Sequence, residues 1–371
     1  MKSWRRVGIV ALVLVALIRP AAVGAEQGAI LSLVDTVEVG GQPQGLMVDT
    51  DQERHDVLVY DRAVGAVRIL NGDTLTLETD TILLPTIDWE TRMAYDRVNH
   101  LTYLLTSGKV GTYPNRWTEV TVNVLADRQL VNRFSVNSRY NTDPLNPVDT
   151  VFGIGGLAFK QPMSEGSNQG RLIIDNPHGG TLDVVDLDAT GVETTTLQRH
   201  AYRAPVPTTG YALNRGNTLA LEPRHETLST DDLGATDLLY IADINNATKG
   251  HVRALSLNQA PNPLQVSALP DVDLTGHWPF PNGNQGVATT GDRDLLYVAS
   301  GLQSFEKGYV GEVDTRTGQV TDVIELQYAD EGFVHSDWYD PKRVFVVTSD
   351  GFAYDAPDYG YYLHLIYDGE V

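Results

Sequence analysis

Short apolar runs recur along the chain, each closed by a polar turn. They are "VLVYDR" (57–62), "LTYLLTS" (101–107), "RLIIDN" (171–176), "LLYIAD" (238–243), "LLYVAS" (295–300) and "VFVVTS" (344–349). Each is rich in β-branched or aromatic residues and too short for a helix, which predicts a strand. A shorter segment precedes each run: "QGLMVD" (44–49), "TRMAYD" (91–96), "GGLAFK" (155–160), "NTLALE" (217–222), "QGVATT" (285–290) and "HSDWYD" (335–340). An alternating segment follows each one, as in "AVRILN" (66–71), "TLDVVDL" (181–187) and "GYVGEVD" (308–314). Most units then add a turn with Asp, Gly or Asn and a fourth strand such as "QVTDVIEL" (319–326).

Four short antiparallel strands per unit, repeated, predict an all-β fold, a β-propeller. The central runs begin 44, 70, 67, 57 and 49 residues apart. The longer gaps hold polar loops at 137–150 and 225–237, without room for a further blade of about 40 residues. The count is therefore six. The last unit ends after its third strand, at "YYLHLIYDGEV", while "AILSLVDTVEV" (29–39) precedes the first unit with no partner of its own. That N-terminal strand is expected to complete the last blade, joining the termini and removing an open edge. Residues 26–371 then form a single propeller domain.

The units "LLYIAD…HVRALSL" and "LLYVAS…YVGEVDTRTGQV" resemble the YVTN and NHL classes of propeller repeat found in secreted bacterial proteins. The match is fullest in the fifth unit, partial in the first, third and fourth, and poor in the second and sixth. The resemblance implies a six-bladed ring of TolB-like or gluconolactonase-like architecture. It implies little about activity, because a fold does not carry a function by itself.

Residues 1–25 read as a secretory signal peptide. Lys2, Arg5 and Arg6 precede the apolar run "VGIVALVLVALI" (7–18), and "AAVGA" (21–25) supplies the small residues of a cleavage site. A retained anchor is the alternative, but the run falls short of the roughly 20 residues a membrane span needs. No cysteine lies near the cleavage site, which excludes a lipoprotein. The expectation is a secreted or periplasmic protein with no membrane span in the mature chain. Without any cysteine it must rely on its core in an oxidising compartment. The 48 acidic against 27 basic side chains give a net charge of -21, which repels phosphate backbones and argues against nucleic-acid partners.

Candidate chemistry lies where inner strands begin and where second strands turn into third ones. Glu90, Asp175, Asn176, Asn217, Asp243 and Gln285 form an oxygen-rich set suited to Ca²⁺, a hard cation taking six to eight oxygen ligands. Turn-making alone equally accounts for Asp and Asn at such places. Were Ca²⁺ bound, His335 or His178 would be the candidate base of a lactonase-type hydrolysis. "HSD" at 335–337 is no catalytic relay, since neighbouring strand residues point to opposite faces. Trp278, Phe280 and Tyr359 lie on aromatic loops that can stack on sugars, anchor a protein partner, or pack between blades. The reading from sequence is a binding protein for a protein or polysaccharide, with a Ca²⁺-dependent hydrolase as the alternative.

Overall fold

The computed structural model describes residues 31–41, 43–48, 55–84, 91–110, 117–136, 155–161, 170–176, 180–194, 198–202, 218–222, 236–242, 251–258, 265–276, 286–289, 294–300, 308–327, 329–337, 340, 342–349 and 360–369. The first strand, β1 (Leu31–Glu38), belongs to the last sheet. Blade 1 runs β2 (Pro43–Val48), β3 (Asp56–Asp61), β4 (Ala66–Asn71) and β5 (Leu77–Leu83). Blade 2 follows with β6 (Arg92–Asp96), β7 (Leu101–Val110), β8 (Trp117–Ala126) and β9 (Gln129–Val136). Blade 3 holds β10 (Leu157–Lys160), β11 (Gly170–Asn176), β12 (Thr181–Leu187) and β13 (Gln198–Ala201). Blade 4 holds β14 (Thr218–Glu222), β15 (Thr236–Ala242), β16 (His251–Asn258) and β17 (Gln265–Ala268), and the short β18 (Val272–Asp273) also pairs with β16. Blade 5 is β19 (Gly286–Thr289), β20 (Leu295–Ser300), β21 (Gly308–Asp314) and β22 (Gln319–Leu326). Blade 6 combines β23 (Ala329–Ser336), β24 (Arg343–Ser349) and β25 (Tyr361–Asp368) with β1 at its outer edge.

The architecture is thus a six-bladed all-β propeller. Inner strands β2, β6, β10, β14, β19 and β23 touch in that order and return to β2. The outer strand of blade 6 pairs antiparallel with β25, from Leu31 opposite Asp368 to Glu38 opposite Tyr362, with a bulge at Val34.

Each second strand is apolar along its whole length because both of its faces are buried. Side chains alternate across a strand, so neighbours go to opposite seams. In β3, Val57 and Val59 enter the seam with blade 6, while Leu58 and Tyr60 enter the seam with blade 2. In β24, Phe345 and Val347 face blade 1, and Val344 and Val346 face blade 5. Six apolar clusters result, one in each seam. The blades have no common core; they are held by pairwise packing, as repeat proteins are.

Polar ties supplement most seams. Arg128 of blade 2 reaches Asp56 and Glu78 of blade 1. Lys160 of blade 3 meets the buried Asp237 of blade 4 at 2.9 Å. Tyr297 of blade 5 donates to Asp368 of blade 6 at 2.7 Å. At the seam where the ring closes, the nearly buried Arg343 bonds Asp73 at 2.8 Å and the Gly72 carbonyl, with the buried Asp337 carboxylate 3.6 Å away. Arg343→Ala would strip Asp337 of this cation and part blades 6 and 1. It is expected to cost about 3–5 kcal/mol in denaturant unfolding, the usual cost of breaking a buried pair. Arg343→Lys, which lacks the fork, is expected to recover only part of that.

One boundary differs from the sequence reading. The inner strand of blade 6 does not begin at His335 but ends one residue beyond it, spanning 329–336. Phe333 and Val334 pair with Val347 and Val346, and a bulge between Asp330 and Phe333 interrupts the pattern before them. Residues from Asp337 make the turn instead: the Asp337 amide donates to the Arg343 carbonyl, and the Arg343 amide to the Asp340 carbonyl.

Candidate functional site in the central channel

Register fixes which residues share a layer around the channel. Opposite the large side chains Tyr103, Tyr240 and Tyr297 of the second strands stand Ala94, Ala220 and Ala288. Ala158 stands opposite Ile173, and Met47 opposite Leu58. In blade 6 the same place, opposite Phe345, is taken by His335. A small residue there leaves room for the buried tyrosine ring across the ladder, so three of the four alanines follow from packing. A histidine does not.

Two residues earlier in each unit lie Gly45, Arg92, Gly156 (just ahead of β10), Thr218, Gly286 and Phe333. Glycine at three of the six positions opens space at this level. At Gly45 the space is needed for the fold, because a Cβ would stand 2.8 Å from both the carbonyl oxygen and Cγ2 of Thr91. Arg92 reaches past blade 1 to Phe333 of blade 6 at this level. Its guanidinium carbon lies 5.2 Å from the centre of the Phe333 ring, and Nη1 donates to the Thr91 carbonyl at 3.3 Å. A desolvated cation over an aromatic face is worth up to about 2 kcal/mol. This pair links blade 2 to blade 6, the two neighbours of blade 1.

The channel encloses a cavity of about 120 Å³. Its wall is mixed: Leu46, Val48, Leu157, Phe159, Val287 and Phe333 stand beside Thr91, Arg92, Arg97, Gln161 and Thr289. His335 borders it toward the end where the inner strands stop. The imidazole Nδ1 lies 2.9 Å from the Ser336 carbonyl oxygen. A carbonyl only accepts, so Nδ1 carries the proton. Burial lowers the imidazole pKa to about 4, partly countered by that hydrogen bond. The ring's remaining exposure is to the lumen.

The neighbours of His335 go elsewhere. Ser336 Oγ donates to the Thr289 carbonyl of blade 5 at 2.5 Å, and Asp337 faces Arg343. The three side chains of "HSD" therefore serve three different contacts. On the same side of the ring, Gln161 bridges blades 2 and 3 by accepting from the Arg97 amide at 2.9 Å and donating to the Tyr95 carbonyl at 2.7 Å.

Of the oxygen-rich set, Asp175 is described in full. It is buried at the end of β11, where Oδ1 accepts from the Tyr202 hydroxyl at 2.7 Å. Asn176 is described in its backbone alone, paired with Thr181. Glu90, Asn217, Asp243 and Gln285 lie outside the described residues, as do His178, Trp278, Phe280 and Tyr359. Among the described residues no group of three His, Asp or Glu side chains is placed to hold a metal ion. Asp175 alone, with one oxygen given to Tyr202, does not make a Ca²⁺ site, so no chemical step is routed through that ion here. The Arg92–Phe333 pair and the exceptional place of His335 were not singled out from sequence as a layer. Aligning the inner strands on their alanines would have exposed both.

No known family model matches the chain, and no curated protein matches it. Solved structures do resemble it. The Cps50 (Swd1) β-propeller domain of Myceliophteria thermophila superposes with a TM-score of 0.50 at 10% identity, covering 91% of this chain and 99% of that one. A luciferin-regenerating enzyme superposes with a TM-score of 0.50 at 12% identity, covering 91% and 95%. At such identities these likenesses show the fold alone.

Proposed function

We propose that this chain is an exported binding propeller, a rigid ring that presents the connections of one face to a protein or polysaccharide. The observation that carries the reading is topological. Each blade has four antiparallel ladder positions, the outer one in blade 4 shared by β17 and β18, so the chain returns to the same face before every inner strand. The stretches holding Trp278, Phe280 and Tyr359 join strand ends that open on that face: β18 to β19, and β24 to β25. A net charge of -21 favours a neutral glycan or a basic protein surface over an anionic polymer. Exposed aromatic anchors would supply the contact area.

Tryptophan fluorescence during titration with a panel of purified neutral polysaccharides and basic proteins tests the reading. The expected result is saturable binding by at least one of them, weakened roughly tenfold or more by Trp278→Ala and unchanged by EDTA. The alternative, a Ca²⁺-dependent hydrolase, predicts stoichiometric Ca²⁺ and lactone hydrolysis abolished by EDTA. That outcome, without partner binding, would replace the proposal.

A further inference from the structure

We propose that the central channel holds a second, internal binding site, for a small neutral aromatic molecule bearing one hydroxyl group, whose proton donor is received by His335 Nε2. This site lies inside the ring and does not depend on what the loop face binds. Its first support is positional. Of six equivalent inner-strand positions, four carry Ala and one Met, while the sixth carries an imidazole against the cavity. Packing against a tyrosine ring accounts for three of the alanines and gives no reason for the histidine, which faces the Phe345 ring.

The second support is chemical. With the Nδ1 proton committed to the Ser336 carbonyl, the opposite ring edge presents a lone pair. Among the described residues Nε2 has no hydrogen-bond partner, and His335 lines the cavity. Burial keeps the ring neutral near pH 7, so that edge accepts a hydrogen bond and does not offer one. Beside the apolar side chains of the mixed wall, this acceptor calls for a ligand that brings a donor on an otherwise apolar body.

The third support is size. The cavity of about 120 Å³ is near the roughly 150 Å³ of an apolar protein cavity that takes up benzene. Leu46, Val48, Leu157, Val287 and Phe333 give the ring its apolar surroundings. Arg92 and Arg97 both line the cavity; the Arg92 guanidinium is spread over Phe333 and bonded to the Thr91 carbonyl, so the proposed ligand is neutral, with an anion as the competing outcome of the test.

The test uses the protein labelled with ¹⁵N at its nine histidines. Phenol is expected to move one unprotonated Nε2 resonance saturably, and toluene at the same concentration is expected to leave it in place. His335→Ala installs the residue that four other blades use at this position, so the ring should still fold, and a thermal melt verifies that. In this variant the shifted resonance should vanish and phenol affinity should fall roughly tenfold, the value of one hydrogen bond, with toluene affinity unchanged or improved. If no imidazole resonance moves with phenol, or toluene moves the same one, the site is refuted, whether or not the variant folds. Benzoate binding tighter than phenol, indifferent to His335→Ala, would assign the cavity to Arg92 and also overturn the proposal.

Discussion

A chain beginning at Gly41 is expected to lose several kcal/mol of stability and to self-associate. The truncation removes β1, whose seven paired residues form the outer ladder of blade 6. Its side chains are mostly exposed, with Leu31 the buried exception, so the loss falls chiefly on the backbone. At a net contribution of about 1 kcal/mol per hydrogen bond, that ladder is a large part of the roughly 5–15 kcal/mol that keeps an ordinary domain folded. Further ties go with it: the Leu31 amide bond to Asp322 at 2.6 Å, the Thr36 hydroxyl contact with His364 Nδ1 at 2.9 Å, the Val39 amide bond to the Tyr361 carbonyl at 2.9 Å, and the Arg68 bond to the Val39 carbonyl at 3.2 Å. The outer edge of β25 would then be an unpaired template for another chain. Denaturant unfolding and light scattering measure both effects, and a synthetic peptide of residues 29–40 added in trans should reverse them by mass action. A truncated protein that stays monomeric with an unchanged unfolding midpoint would show that the ring does not need this strand.

Acidification is expected to weaken the fold between about pH 6.5 and pH 4. His364 is buried between two threonines, with Nδ1 at 2.9 Å from Thr36 Oγ1 and Nε2 at 2.7 Å from Thr348 Oγ1. Burial lowers its pKa to about 4, and that of His335 also to about 4. Below an ordinary value near 6.5 the unfolded chain takes up protons that the folded chain refuses, so stability falls as pH falls through this window. The gap corresponds to about 3 kcal/mol for a fully buried imidazole at 1.36 kcal/mol per pH unit, and to less for His335, which borders the lumen. Asp96 acts in the opposite sense: burial raises its carboxyl pKa, so the folded state holds that proton more readily than the unfolded one. Asp73, Asp188 and Asp314, all lowered, contribute stability above the ordinary carboxylate range that is lost only below pH 4. Melting temperatures at pH 7.5 and pH 4.5 should differ by many degrees, and His364→Gln should flatten the dependence. Equal melting temperatures at both values would contradict the burial argument.

The propeller was legible because its second strands are buried on both faces. "VLVYDR" and "LLYIAD" are continuous apolar runs for that reason, and their count gave the number of blades. Closure was legible from an orphan strand at one end and a three-stranded unit at the other. The inner strand of blade 6 was not placed correctly. Its apolar pair Phe333–Val334 is short and follows a bulge, and "HSDWYD" resembled the other inner segments more than "ADEGFVHS" did. The error moved His335 from inside the channel to its mouth. The contact of Arg92 with Phe333 joins residues from blades 2 and 6, and periodicity within one blade says nothing about such a pair. For the loop residues, sequence names candidates but does not say which share a surface.

Because Thr36 meets His364 across 328 residues of chain, the earliest of the described strands to leave the ribosome is matched with the latest of them. At roughly 5–20 residues per second, β1 waits on the order of 15–65 s before its partner exists. During that interval it is an unpaired strand, and Asp35, its bulge and Glu38 are the features that keep such an edge from adopting a wrong neighbour. Synthesis therefore sets a lower bound on the interval before the ring is sealed, and slowing translation should prolong the time in which this protein can be captured or lost.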